Sequence, residues 1–197
     1  MNSTYKVIKF KKNKFENTDD FISIEEPLEI LLKYKDHDKW LTNSLSITMR
    51  TPGYDEDLVR GFLYNEQIIQ NLDEIDNIES FGDKVGKYNI QNKIKVTLNN
   101  SENINISKIK RDFMTNSSCG VCGKSSLDAL EITKKEKASS SDPKLSKEII
   151  MQSPAILRSN QSEFSKTGGI HASGLFSSDG KLISLREDVG RHNACLL

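Results

Sequence analysis

Two thiols separated by two residues stand in the run Ser117-Ser118-Cys119-Gly120-Val121-Cys122-Gly123-Lys124. A glycine after each cysteine lets the backbone turn and lets another molecule come close. The Lys124 cation, and the amides of a helix beginning near Ser125, would stabilise a thiolate, the form that attacks sulfur or binds metal. Four readings of such a pair compete: half of a zinc site, a redox dithiol, a sulfur-presenting loop, or two incidental thiols. Incidental thiols more often lie among apolar neighbours, and these do not. The third cysteine, Cys195, stands alone. A four-cysteine site is therefore not available, whereas a mixed site with His171 or His192 stays open.

A second constellation is Arg186-Glu187-Asp188-Val189-Gly190-Arg191-His192-Asn193. Two arginines, two carboxylates, a histidine and an amide occupy eight positions. A salt-bridged surface turn is one explanation, since exposed pairs are common and contribute little. The other is a site for a polar, phosphate-bearing ligand. Arg186 and Arg191 could fork onto phosphate, and His192 could shuttle a proton.

The elements that must position these groups follow from periodicity. Phe164 to Phe176 runs through the glycine turn Thr167-Gly168-Gly169 into a strand. Asp179-Gly180 signals a hairpin, and Leu182 to Leu185 is the return strand that delivers Arg186. Ser146 caps a helix through Leu157, whose end Pro154 makes irregular. Upstream, Leu45, Ile47 and Met49 alternate with polar residues, as in a half-buried strand. Thr51-Pro52-Gly53 ends it, and Asp55-Glu56-Asp57 opens a helix. Leu58, Val59, Phe62 and Leu63 give that helix one apolar face, and Gly61 permits a close approach. Tyr5 to Phe15 reads as an edge strand or arm, and Pro27 belongs at an edge or bend. Lys33 to Trp40 reads as a turn holding a solvated His37. Asn71 to Gly86 is an acidic, glycine-punctuated stretch, and Ile90 to Ile106 carries further strands. A short helix leaves the cysteine loop at Leu127, and Lys134 to Pro143 is a solvated connection.

The chain has 197 residues, room for one domain with a real core. Its formal net charge of zero gives no whole-chain reason to expect nucleic acid or an anionic membrane as partner. Few cysteines, no secretory pattern and no spanning apolar run predict a cytoplasmic protein.

Five segments, in order, resemble the formate dehydrogenase accessory sulfurtransferase family, FdhD. They are Glu25 to Ile30; Thr48 to Leu58 with Gly61-Phe62-Leu63; Arg111 to Lys124; Thr167 to Ala172; and Arg186 to Asn193. The resemblance implies an α/β (α+β) fold with a cytidine-deaminase-like layered sheet and flanking helices, plus a small β-rich N-terminal part. It implies one domain over residues 1–197. About 1–110 would form the β-rich part with one helix, and about 111–197 the cysteine loop and an incomplete deaminase-like part. Zinc deaminases pair His-x-Glu with Pro-Cys-x-x-Cys. Here Ala172-Ser173 follows His171 and Ser118 precedes Cys119, so hydrolytic zinc chemistry is not expected.

The function so implied is sulfur relay. A cysteine desulfurase hands sulfur to Cys119 or Cys122 as a persulfide. The sulfur passes to the molybdenum (or tungsten) bis-molybdopterin guanine dinucleotide cofactor, bound as substrate, which then enters formate dehydrogenase. Cofactor contacts, including its guanine nucleotide portion, are expected at Thr167, Gly168, Gly169, His171, Arg186, Glu187, Asp188, Gly190, Arg191, His192 and Asn193. No tightly held metal is expected, and a homodimer is plausible. The alternatives are a non-catalytic cofactor-binding chaperone for formate dehydrogenase, and a Cys/His zinc or redox site. The family continues beyond His-Asn-Ala with an Asp-Lys pair and a further α/β segment. This chain stops at Leu197, so the expectation is a kept sulfur loop and an incomplete cofactor pocket.

Overall fold

The structure is a computed structural model that describes residues 1–99 and 145–197. The chain is α+β, as expected. It divides into two compact units that interleave along the sequence. One holds Met1–Glu25 and Ser139–Cys195; the other holds Glu26–Ala138 and Leu196–Leu197.

The second unit is built on a four-stranded sheet in the order β4-β3-β6-β5. Its strands are β3 (Glu26–Asp36), β4 (Lys39–Arg50), β5 (Ile75–Val85) and β6 (Ile90–Leu98). β3 pairs antiparallel with β4 and parallel with β6. Leu28, Ile30, Leu32 and Tyr34 alternate along β3 and are all at most 1% exposed. They face Ile94, Val96 and Leu98 of β6 in one core. Helix α1 (Asp55–Asn65) closes that core with Leu58, Val59 and Leu63. Its first turn carries Asp55, Glu56 and Asp57, where the helix dipole favours acid.

Pro27 fits its strand because β3 is still an edge there. It pairs with Met49 of β4, while the pairing with β6 begins only at Glu29. Gly61 meets the expectation of a close approach: a Cβ there would lie 1.7 Å from the Leu196 carbonyl oxygen.

Three expectations need correction. Lys33 to Trp40 is not a turn: both strands continue through it, and His37-Asp38 alone make the bend. His37 is nevertheless solvated, its side chain 95% exposed. Ile47 does not share the buried face of Leu45. A register shift at Ile30/Leu31 bulges Leu45 inward, and Ile47, opposite Glu29, turns outward. The acidic stretch from Asn71 contains a 3-10 turn (Leu72–Glu74) and the edge strand β5.

The first unit begins with a two-stranded ribbon, β1 (Asn2–Lys11) and β2 (Lys14–Ser23), rather than a single arm. Helix α2 (Lys147–Asn160) starts at Ser146, whose hydroxyl accepts from the Ile149 amide. It runs past Leu157 despite Pro154. Proline removes the amide that would bond the Ile150 carbonyl, and the Ser153 hydroxyl donates to that oxygen at 3.0 Å instead. Helix α3 (Ser162–Thr167), the hairpin β7 (His171–Phe176) with β8 (Leu182–Asp188), and α4 (Arg191–Leu196) follow. Gly174 lies against Leu157 of α2: a Cβ there would be 2.7 Å from its side chain.

Candidate functional site

The two C-terminal segments singled out in the sequence fold against each other within the first unit. The hairpin register sets His171 opposite Asp188, Ala172 opposite Glu187 and Ser173 opposite Arg186. The turn that makes this register is the expected one. Gly180 takes φ +86°, and its amide donates to the Ser177 carbonyl.

The glycine turn ends α3. Gly168 adopts φ +67°, and its amide reaches the Phe164 carbonyl at 2.8 Å, a left-handed cap that glycine enters without strain. Thr167 serves the same end. Its hydroxyl donates to the Glu163 carbonyl at 2.9 Å, lies 2.8 Å from the Ser23 hydroxyl, and accepts from the Gly169 amide at 3.4 Å. Ile170, buried, anchors the chain before it emerges at His171, which is exposed.

Glu187 holds the other end of α3. Its carboxylate accepts from the Glu163 and Phe164 amides, each at 2.9 Å, and from the Ser162 hydroxyl at 3.5 Å. A six-residue helix has little stability of its own, and this strand-borne cap satisfies its first amides. Arg158 of α2 stacks on the Phe164 ring at 3.8 Å. Glu163 meets the Met1 ammonium at 2.6 Å and also accepts from Asn2. Burial pushes its carboxyl up, but these donors outweigh burial and hold it below the usual carboxylate value.

Asp188 is 1% exposed and accepts from the Gly190 amide at 2.7 Å. The bond turns the chain out of β8 and into α4. Asn193, also buried, closes on the same point. A Cβ on Gly190 would lie 3.1 Å from its side-chain nitrogen and 3.2 Å from Asp188 Oδ1. Arg186 is half-buried, and its Nη1 donates to Ser184 Oγ at 3.2 Å and to the Leu185 carbonyl at 3.1 Å.

The predicted ligand residues thus divide. Thr167, Gly168, Glu187, Asp188, Gly190 and Asn193 build the scaffold. His171, Arg191 and His192 are exposed at the end of the hairpin where β7 begins and β8 ends. Cationic and imidazole groups on a rigid polar base suit the binding of an anion. Sequence reading passed over Ser23, Glu163 and Ser162, which support this base. The position of Glu163 just after a helix boundary was the available signal. Cys119 and Cys122 lie outside the described residues, as do Leu127 and the Lys134 to Pro143 connection. Cys195 is a free, exposed thiol. No described helix is long and apolar enough to cross a membrane.

Comparison with known proteins places this arrangement. The FdhD/NarQ family model matches residues 24–195. The sulfur carrier protein FdhD of Sulfolobus acidocaldarius is 42% identical over 189 residues, covering 96% of this chain and 64% of that protein. Its counterpart from Sulfurisphaera tokodaii is 38% identical over 96% of this chain and 65% of its own length. The chain thus spans about two thirds of the length of these relatives. A crystal structure from Desulfotalea psychrophila, named for a formate dehydrogenase accessory protein, superposes with a TM-score of 0.61. It is 23% identical and covers 99% of this chain and 66% of that one. With the family model matched from before β3 into α4, the chain belongs to the FdhD/NarQ family.

Proposed function

We propose that the chain is a persulfide sulfur carrier that takes sulfur from a cysteine desulfurase. It delivers that sulfur to the molybdenum or tungsten bis-molybdopterin guanine dinucleotide cofactor, bound as substrate, in the cytoplasm and in the service of formate dehydrogenase. The observation that carries this reading is similarity to sulfur carrier proteins along 96% of the chain, the Cys119–Cys122 segment included. Loading is a thiolate exchange. The sulfur of Cys119 or Cys122 attacks the outer sulfur of the donor's persulfide, a new sulfur–sulfur bond forms, and the donor thiolate leaves. No outside oxidant is needed. His171, Arg191 and His192 would meet the cofactor's phosphates on the base that Asp188 and Asn193 fix.

The test is intact-mass analysis after incubation with a cysteine desulfurase and cysteine. The expected result is a reducible gain of one sulfur, lost in Cys119→Ala or in Cys122→Ala. Folded protein that gains no sulfur overturns the carrier role. If the same protein still binds guanosine diphosphate through Arg191 and His192, the chaperone reading takes its place.

A further inference from the structure

The zero net charge of the chain is an average, and the tip of the β1–β2 ribbon departs from it. From Ile8 to Phe15 the sequence is Ile-Lys-Phe-Lys-Lys-Asn-Lys-Phe, with four lysines and no acid. Lys9 pairs with Asp20 at 3.0 Å. Among the described residues, Lys11, Lys12 and Lys14 have no carboxylate within ion-pair distance. Strand alternation sets Ile8, Phe10 and Phe15 on one face of the ribbon and Lys9, Lys11 and Lys14 on the other. Phe10 and Phe15 are cross-strand partners with ring centroids 5.0 Å apart. Ile8, Phe10 and Phe15 are 69%, 60% and 78% exposed. Lys12 sits in the turn at φ +48°, a place that glycine or asparagine would fill with less strain. The family model begins at residue 24, after the ribbon.

We propose that this tip is a peripheral docking element for an anionic lipid surface. Its composition and size favour a bilayer over a protein. Protein interfaces are enriched in aromatic residues and arginine and depleted in lysine; the tip shares the aromatics, but all four of its cations are lysine. The three apolar side chains offer about 400 Å², about half of what each partner of a stable protein pair buries. A bilayer needs no matched shape. Two rings enter the acyl boundary, and lysine stems reach from the far face to the lipid phosphates. Nucleic acid fits less well, because the two rings pack on each other instead of standing as a stacking platform.

The test uses the whole chain carrying Trp40→Phe and Phe15→Trp, so that one indole reports from the tip. The expected result is a blue shift and co-sedimentation with vesicles of phosphatidylcholine containing phosphatidylglycerol. Pure phosphatidylcholine should give neither, and high salt should abolish both. Lys11→Glu/Lys12→Glu/Lys14→Glu should weaken vesicle binding about 100-fold or more, from the contribution of each lysine near an anionic surface. Lys147→Glu, at an exposed lysine of α2, should leave binding unchanged. Lys12→Gly relieves the turn and keeps the ribbon, and should weaken binding about fivefold. Unchanged emission with anionic vesicles overturns the proposal. So does vesicle binding that the triple substitution leaves intact, or a tip-dependent response to a single-stranded oligonucleotide with none to vesicles.

Discussion

Among the described residues Arg50 is the largest fully buried side chain, at 0% exposure, and its removal or isolation gives the sharpest test of the fold. Its guanidinium forks onto Asp55, with Nε to Oδ1 at 2.8 Å and Nη2 to Oδ2 at 2.9 Å. It also donates to the Glu26 carbonyl and Asn92 Oδ1, each at 3.3 Å, and to the Gln91 carbonyl at 3.4 Å. One side chain thus ties the ends of β3, β4 and β6 to the first turn of α1. The two partners are not equivalent, since the Asp55 side chain keeps 18% exposure. Asp55→Asn strands a cation with no access to water, which should cost about 3–5 kcal/mol. Loss of acid from the first turn of α1 adds about 0.3–1 kcal/mol. Arg50→Met leaves a carboxylate that water can reach and takes a donor from three acceptors. It should cost less than Asp55→Asn, about 2–4 kcal/mol. Arg50→Met/Asp55→Asn should recover part of the sum, because the stranded charge is gone. Trp40, the single tryptophan, lies in β4 of the same unit, so its fluorescence during urea unfolding reports this transition. The cost should change little with salt. Removal of the exposed Arg60–Glu56 pair should cost at most about 0.5 kcal/mol and nothing in high salt. An Asp55→Asn cost under about 1 kcal/mol, or strict additivity of the double variant, would refute the reasoning.

Gly61→Ala gains about 1 kcal/mol of helix propensity but drives a Cβ to 1.7 Å from the Leu196 carbonyl. A net fall in Tm is expected, and a rise would show that the backbone of Leu196 yields without cost. Glu187→Ala uncaps α3 and should cost about 1–2 kcal/mol. Faster hydrogen exchange at the Glu163 and Phe164 amides is its signature, while unchanged exchange counts against the cap. The Glu163 carboxyl lies below its usual value of 4.5 in the folded protein, so its contribution is complete above that pH. The contribution is lost as pH falls through the lower folded value. Glu163→Gln should flatten the dependence of Tm on pH below about 4.5, with little change in slope near neutrality.

Legibility in the sequence followed the local physics. The β7–β8 hairpin was readable because Asp179-Gly180 fixes its own turn. Ser146, the acidic first turn of α1 and the role of Gly61 were readable for the same kind of reason. The edge strand β5 was hidden. Asp76, Glu79 and Asp83 point to solvent, and a register shift at Ile75/Asn77 breaks the alternation that would have revealed Ile75 and Ile78 as one core-facing row. The bulge that turns Ile47 outward is likewise decided by the partner strand, not by the strand itself. At the site, residue types announced polar chemistry correctly but could not apportion it. Which carboxylate caps a helix and which histidine meets solvent depends on hairpin register, a tertiary fact.

The ribbon and the helix it rests on are synthesised far apart in time. Ser23 meets Thr167 across 144 residues of chain. At ordinary translation rates the β1–β2 segment therefore waits about 7–30 s for α3 to leave the ribosome. A two-stranded ribbon without a packing partner is marginal in water. Over that interval the four-stranded sheet, whose strands lie between, can close on α1 ahead of the ribbon. The order of assembly is thus written into the connectivity: the middle of the chain first, and its earliest residues among the last to settle.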